Sequence, residues 1–293
     1  MKITHLKHHQ IDFKKYDNCI DTSYNAIIYA YSWYLDIVTK KNWEVLILGD
    51  YKAVMPLPFS RIKRKLFKKM IAQPFFCQQL GVFSLTELTQ ETFNLFLTEY
   101  QRMSVFNYQF NHFNNRFLEN IHPKIEKVNY ELSLNTSYDK IKKTYHKNLK
   151  RNLKKAQKNN LIITKNITIN QFFKLKKEHS IHTIKQSHFK LMEALITKFI
   201  LLKKGQFYGV LNKNQLVAIG FFMASNKRII HQFSVSNLEG KSVAAIPFLF
   251  DYLIQEHANS NVVFDFEGSM ITGIAQFFKS FGAENKSYIC HQC

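Results

Sequence analysis

The same succession of elements occurs twice along this 293-residue chain, and that repeat constrains its fold more than any other feature. In the first half, Trp43 to Leu48, a Gly49-Asp50 turn and Ala53 to Pro58 read as a tight hairpin. In the second half, Phe207 to Leu211, a short polar turn and Gln215 to Phe222 read the same way. After each hairpin come an apolar strand (Met70 to Phe76, Arg228 to Val235), a helix (Gln90 to Met103, Val243 to Ala258) and a short aromatic strand (Phe106 to Phe110, Val262 to Phe266). Hairpin, strand, helix and strand, twice over, predict an α/β fold of two mixed-sheet domains, residues 1–130 and 131–293. The sharpest consequence is that residues 43–59 and 207–223 form equivalent hairpins.

Two cores require enough apolar side chains. With 46% hydrophobic residues, 27 Phe and 14 Tyr the chain has them, which excludes a disordered protein. Its net charge of +20 favours phosphate-rich partners such as RNA, nucleotides or anionic lipid. Much of that charge sits in one place. Thr136-Ser137-Tyr138-Asp139-Lys140 is a capping sequence ahead of an amphipathic helix over residues 138–158, which opens the second domain. Its apolar stripe is Tyr138, Ile141, Tyr145, Leu149, Leu153 and Ala156. Its other faces carry nine Lys or Arg against the single Asp139, Lys147, Lys150, Arg151, Lys154 and Lys155 among them. A face of one sign suits contact with a phosphate backbone; the alternative is simple solvation. A second basic cluster runs from Arg61 to Lys65, with Lys68 and Lys69.

Other classes find little support. Met1 to His9 lacks the apolar core of a signal peptide, and no apolar run reaches the ~20 residues of a bilayer span, so the expectation is a cytoplasmic protein without a transmembrane segment. Four cysteines are no disulfide framework, and Cys290-His291-Gln292-Cys293 has no second ligand pair and reads as a frayed tail. Neither Glu178, His179 and His182 nor His5, His8 and His9 make a complete ligand set, so no metal site is expected.

Phe264-Asp265-Phe266-Glu267-Gly268-Ser269, with Gly273-Ile274-Ala275-Gln276-Phe277-Phe278-Lys279-Ser280-Phe281-Gly282, resembles the end of the Fem-type (FemABX-like) peptidoglycan aminoacyltransferases of the GNAT superfamily. There an aromatic-acidic strand runs into a Gly turn, a helix with a Phe-Lys pair and an aromatic-Gly close. The basic helix is similar to theirs through Tyr145, Asn148, Lys150 and Arg151. The resemblance implies two tandem GNAT-like domains and transfer of an aminoacyl or acyl group to an amine acceptor, such as that of a cell-wall precursor. Its donor would be aminoacyl-tRNA or acyl-CoA, with no tightly bound cofactor. Lys279 is the matched catalytic position, and Phe278, Tyr145, Lys147, Lys150 and Arg151 would meet substrate.

The residues themselves fit such chemistry. Acyl transfer to an amine passes through an oxyanion, which a fixed cation such as Lys279 stabilises, and the ring of Phe278 could hold that ammonium. The amine must lose a proton to a base; Asp265 and Glu267 alternate with phenylalanines on one face of a strand, and Glu267 lies nearer the Gly turn. GNAT enzymes that use CoA carry Q/R-x-x-G-x-G/A after the fourth strand, to cradle pyrophosphate. At that point stand Asn237, Leu238, Glu239, Gly240, Lys241 and Ser242, which keep only the central Gly. Asn237, Gly240, Lys241 and Ser242 are the candidate CoA contacts, in a degenerate loop that disfavours CoA. The competing readings are a CoA-dependent N-acetyltransferase and a catalytically silent RNA- or nucleotide-binding protein.

Overall fold

The computed structural model describes residues 2–62, 68–179, 185–225 and 227–292. Lys63, Arg64 and Lys65 of the second basic cluster, His182 and Cys293 lie outside them. The chain forms two compact units, one of residues 1–127 with 287–293, the other of residues 128–286. The last seven residues therefore join the first unit, where the sequence had put them in the second.

The first unit runs β1 (Ile3–Leu6), α1 (Phe13–Thr22), α2 (Ser32–Thr39), β2 (Trp43–Leu48), β3 (Ala53–Ile62), β4 (Lys68–Ala72), β5 (Phe83–Ser84), α3 (Gln90–Gln101), β6 (Val105–Gln109) and β7 (Lys124–Lys127). The second runs β8 (Tyr130–Ser133), α4 (Tyr138–Thr144), α5 (Lys147–Lys158), β9 (Ile162–Thr164), α6 (Ile169–His179), α7 (Gln186–Leu201), β10 (Gly205–Asn212), β11 (Gln215–Ser225), β12 (Arg228–Ser236), α8 (Leu238–Ser242), α9 (Ala245–His257), β13 (Val263–Asp265), α10 (Thr272–Lys279) and β14 (Glu284–Asn285). The chain closes with β15 (Tyr288–Gln292).

The duplication holds. β2 pairs β3 with Leu48 opposite Ala53, and β10 pairs β11 with Asn212 opposite Gln215. Lys213 and Asn214 both have positive φ (47° and 62°), the backbone of a two-residue turn whose twist matches its strands. The sheet orders are β1-β2-β3-β4-β6-β15-β7, with β5 on β3, and β14-β8-β13-β12-β11-β10-β9. In each, an antiparallel meander ends on a parallel pair, β4 with β6 and β12 with β13, and a helix crosses between its members. The slot beyond that pair is filled by β15 in the first sheet and by β8 in the second. Thus the end of the chain completes the first sheet and its middle completes the second.

β15 corrects the reading of the tail as frayed. It pairs β6 on one side and β7 on the other, and Cys290 is buried. His291 accepts its place in the core through Tyr100, whose hydroxyl lies 2.8 Å from Nδ1. The helix expected over 138–158 is also two helices. Tyr145 is extended (φ −61°, ψ 134°), its ring packs edge-on against Phe281 at 5.5 Å, and the amide of His146 leaves the helical pattern to donate to the carbonyl of Ser280. Burying one large ring outweighs the one or two helical hydrogen bonds lost there.

The second core is strongly aromatic. Phe250 of α9 packs among Phe222, Phe264, Phe266, Phe277 and Phe281, and α5 adds Leu149, Leu153 and Ala156. The stripe that sequence periodicity assigns to α5 is therefore the face that the core takes up.

Candidate functional site

Parallel strands β12 and β13 stay paired only from Arg228–Val263 to Ile230–Asp265. Beyond that point the chain after β13 turns away: Phe266 donates its amide to Tyr130 of β8, and Tyr130 donates its own to Glu267. The second sheet thus opens at the C-terminal ends of these strands, where α/β folds commonly bind ligands.

Asp265 closes the paired part. It is 1% exposed, its Oδ2 lies 3.0 Å from Arg228 Nη1, and Glu131 Oε1 of β8 lies 2.8 Å from the same guanidinium. Asn129 donates to that Glu131 oxygen at 3.1 Å, and the amide of Glu267 donates to Asp265 Oδ1 at 2.9 Å. Burial raises the Asp265 pKa, and the Arg228 charge opposes this. The carboxylate expected as a catalytic candidate is held in a buried ion network. Nor does it share a strand face with Glu267, because the strand ends at Asp265 and Glu267 has left-handed backbone (φ 57°). The next residue, Gly268, passes so close to Val128 that a Cβ would collide with its carbonyl. That close approach is why the turn needs a glycine.

Lys279 is exposed on the last turn of α10, with its Nζ 5.7 Å from the centroid of the Tyr130 ring. The aromatic partner expected for it was Phe278. Phe278 is instead buried against Phe266 (5.3 Å), because adjacent helix residues point about 100° apart. Tyr130 is the link between Lys279 and Glu267: its ring carries the ammonium, and its amide holds the carbonyl of Glu267.

Sequence reasoning passed over what lies inside the opening. His231 on β12 is ringed by Phe222, Phe250 and Phe278. It bonds the backbone of Phe266, bridging the parted strands, and its Nε2 lies 3.0 Å from Ser234 Oγ. If the nitrogen facing Phe266 donates to that carbonyl, Nε2 accepts from the serine hydroxyl. Burial lowers the imidazole's pKa to about 4, so it is neutral at pH 7. Lys176 of α6 donates from Nζ to the carbonyl of Ser234 at 2.9 Å, and burial lowers its pKa too. Two signals were legible: a histidine among Ile229, Ile230 and Phe233, and a lysine one helical turn after buried Phe172.

The loop after β12 is folded upon itself. Asn237 caps α8 by accepting the amide of Gly240 (2.7 Å), Lys241 donates its amide to Asn237, Val243 to Glu239, and Ala244 to Lys241. Ser242 Oγ donates to the carbonyl of Glu239. A Cβ at Gly240 would strike Val217 and Ser236, so its glycine serves packing against the sheet. The amides of Asn237, Gly240, Lys241, Val243 and Ala244 are thus engaged within the protein.

α5 offers the opposite surface. Lys147, Arg151, Lys154, Lys155 and Lys158 are exposed and Lys150 partly so. Among the described residues none of these six has a carboxylate within ion-pair distance. Tyr145, expected with them at a ligand, is 3% exposed and belongs to the core. His5 pairs Glu44 and His8 pairs Asp36, both as surface ties.

No protein-family model matches the sequence, and no curated protein matches it either. Solved structures do match. FemX aligns with a TM-score of 0.70 over 99% of this chain and 97% of its own, at 10% identity. A tandem GNAT protein from the clavulanic acid biosynthesis pathway aligns at 0.51 over 99% and 97%, at 11% identity. The C-terminal domain of a putative lysylphosphatidylglycerol synthetase from Agrobacterium fabrum aligns at 0.54 over 96% and 91%, at 10% identity. The chain has the tandem GNAT-like fold. Within it, the fold resembles that of FemX over nearly the whole length of both chains.

Proposed function

We propose that this protein is an N-acyltransferase that moves an aminoacyl or acyl group from a polyanionic carrier, aminoacyl-tRNA in the first place, to an amine at the open end of the second sheet. The observation that carries the choice of donor is the loop 237–244, in which the amides of Gly240, Lys241, Val243 and Ala244 are bonded within the loop itself and are not free to cradle the pyrophosphate of CoA. The unpaired cations of α5 support a phosphate backbone as carrier, through Lys147, Lys150 and Arg151. The Fem-type pattern of residues 264–282 supports a cell-wall precursor as acceptor; no helix among the described residues is long and apolar enough to cross a membrane.

The amine nitrogen attacks the acyl carbonyl. Lys279 stabilises the oxyanion, Glu267 takes the amine proton, and collapse expels the carrier's oxygen, which leaves with a proton. Phe278 and Tyr130 keep the α10 end in position. Titrating the protein with aminoacyl-tRNA and with acetyl-CoA tests the donor: the tRNA binds and acetyl-CoA does not, whereas tight acetyl-CoA binding would overturn the reading. Neutralising Lys150, Arg151, Lys154 and Lys155 together weakens tRNA binding and flattens its salt dependence. Lys279→Ala lowers turnover about 10²–10³-fold and leaves donor binding nearly unchanged.

A further inference from the structure

The end of α7 breaks the pattern of its own helix. The buried face of α7 is Met192, Leu195, Ile196 and Phe199. Ile200 and Leu201 follow at about 100° and 200° from Phe199 around the helix, so they turn away from that face. They are 45% and 73% exposed, and Leu202 is 36% exposed. Three consecutive large apolar residues in water are costly unless something covers them.

The cap of the helix breaks its rules as well. Lys203 donates its amide to Ile200 and Lys204 donates its amide to Phe199, the bonds of a Schellman close. Such a close takes a glycine in the left-handed position and an apolar residue after it. Here Lys203 holds the left-handed backbone (φ 54°) and Lys204 follows. Two cations thus stand directly beside the apolar ridge, one of them in a left-handed position that ordinarily takes glycine.

A cavity of about 340 Å³ opens next to them. Tyr208, Phe222, Ile229 and Leu253 give it an apolar floor, while Lys203, Lys204 and His257 stand at its edge. Lys165 adds a further cation, 5.6 Å from the Tyr208 ring. Apolar side chains flanked by lysines, with an apolar recess behind them, match the boundary of a bilayer, where acyl chains lie just beneath anionic headgroups.

We propose that the C-terminal end of α7 docks this protein on an anionic lipid surface, with Ile200, Leu201 and Leu202 entering the interface and Lys203 and Lys204 meeting lipid phosphates. The recess shares Phe222 with the surroundings of His231, but the ridge and its lysines do not rest on the acyl-transfer reading.

Co-sedimentation of the intact protein with phosphatidylcholine vesicles, with and without phosphatidylglycerol, tests the docking. Binding is expected only with phosphatidylglycerol. Leu201→Glu lowers it at least about tenfold, through lost apolar burial and added repulsion. Lys203→Glu with Lys204→Glu lowers it further than about fivefold per lysine, the usual scale for one such cation. The indole of Leu201→Trp is quenched by brominated acyl chains. Unquenched fluorescence, or ridge variants that sediment like the parent, would show that the basic helix α5 alone holds the vesicles, and would overturn the proposal. Overturning it too would be a lipid-free dimer that Leu201→Glu dissociates, since the ridge would then cover a second copy. Binding of inorganic phosphate that competes with vesicles, without any quenching, would likewise reduce the site to a phosphate pocket.

Discussion

The two sheets of this protein share one topology and differ at the same point. In the first, the parallel pair β4 and β6 would part after Ala72, but the segment that follows stitches the gap. Gln73 donates its amide to Asn107 and accepts the amide of Gln109 on its side-chain oxygen, Leu80 donates its amide to Gln109, and Asn111 donates its amide to Leu80. In the second, the chain after β12 folds into α8 instead, and among the described residues the ring of His231 reaches across to Phe266. One copy is sealed by backbone and amide groups; the other is spanned by a side chain able to exchange protons. The opening, the neutral imidazole and the Tyr130-linked Glu267 and Lys279 all fall in the second copy.

Replacing the keystone of the open copy should have the largest effect on that contrast. Arg228→Met leaves Asp265 and Glu131 buried without their cation and should cost about 3–5 kcal/mol, read by chemical denaturation, with the first unit keeping its hydrogen-exchange protection. Equal loss of protection in both units would deny that the network belongs to the second.

His231 should make the second unit sensitive to acid. Its folded pKa, about 4, lies below the ordinary 6.5. Above pH 6.5 the ring is neutral in both states. As pH falls from 6.5 to 4, the unfolded chain takes up a proton that the folded one refuses, so stability is lost across that window, by at most about 3 kcal/mol. His231→Phe removes this part of the slope in a stability–pH profile, and an unchanged slope would place the acid sensitivity elsewhere.

The smallest change is expected from unsealing the first copy. Gln73→Leu leaves the amide of Gln109 and the carbonyl of Cys77 without their side-chain partner, costing about 1–3 kcal/mol. Faster amide exchange confined to β6 would be its mark, whereas loss spread over the whole chain would show that the segment is needed for more than closure.

Sequence periodicity found both hairpins, α3 and α9, the strands before and after each of these helices and the buried stripe of α5, and it located the basic face opposite that stripe. These features depend on residues within a few positions of one another, where spacing and the side-chain pattern decide the outcome. The motif from Phe264 to Gly282 was legible as a motif, yet its side chains were not. Asp265 is locked to Arg228, 37 positions earlier, and Lys279 lies on Tyr130, 149 positions earlier. The exchange of β8 and β15 between equivalent slots, the break at Tyr145 and the sealing of one gap but not the other were likewise beyond local pattern. Each depends on which distant groups meet to satisfy a buried charge, a large ring or a free backbone amide, and that choice is made only when the sheets assemble.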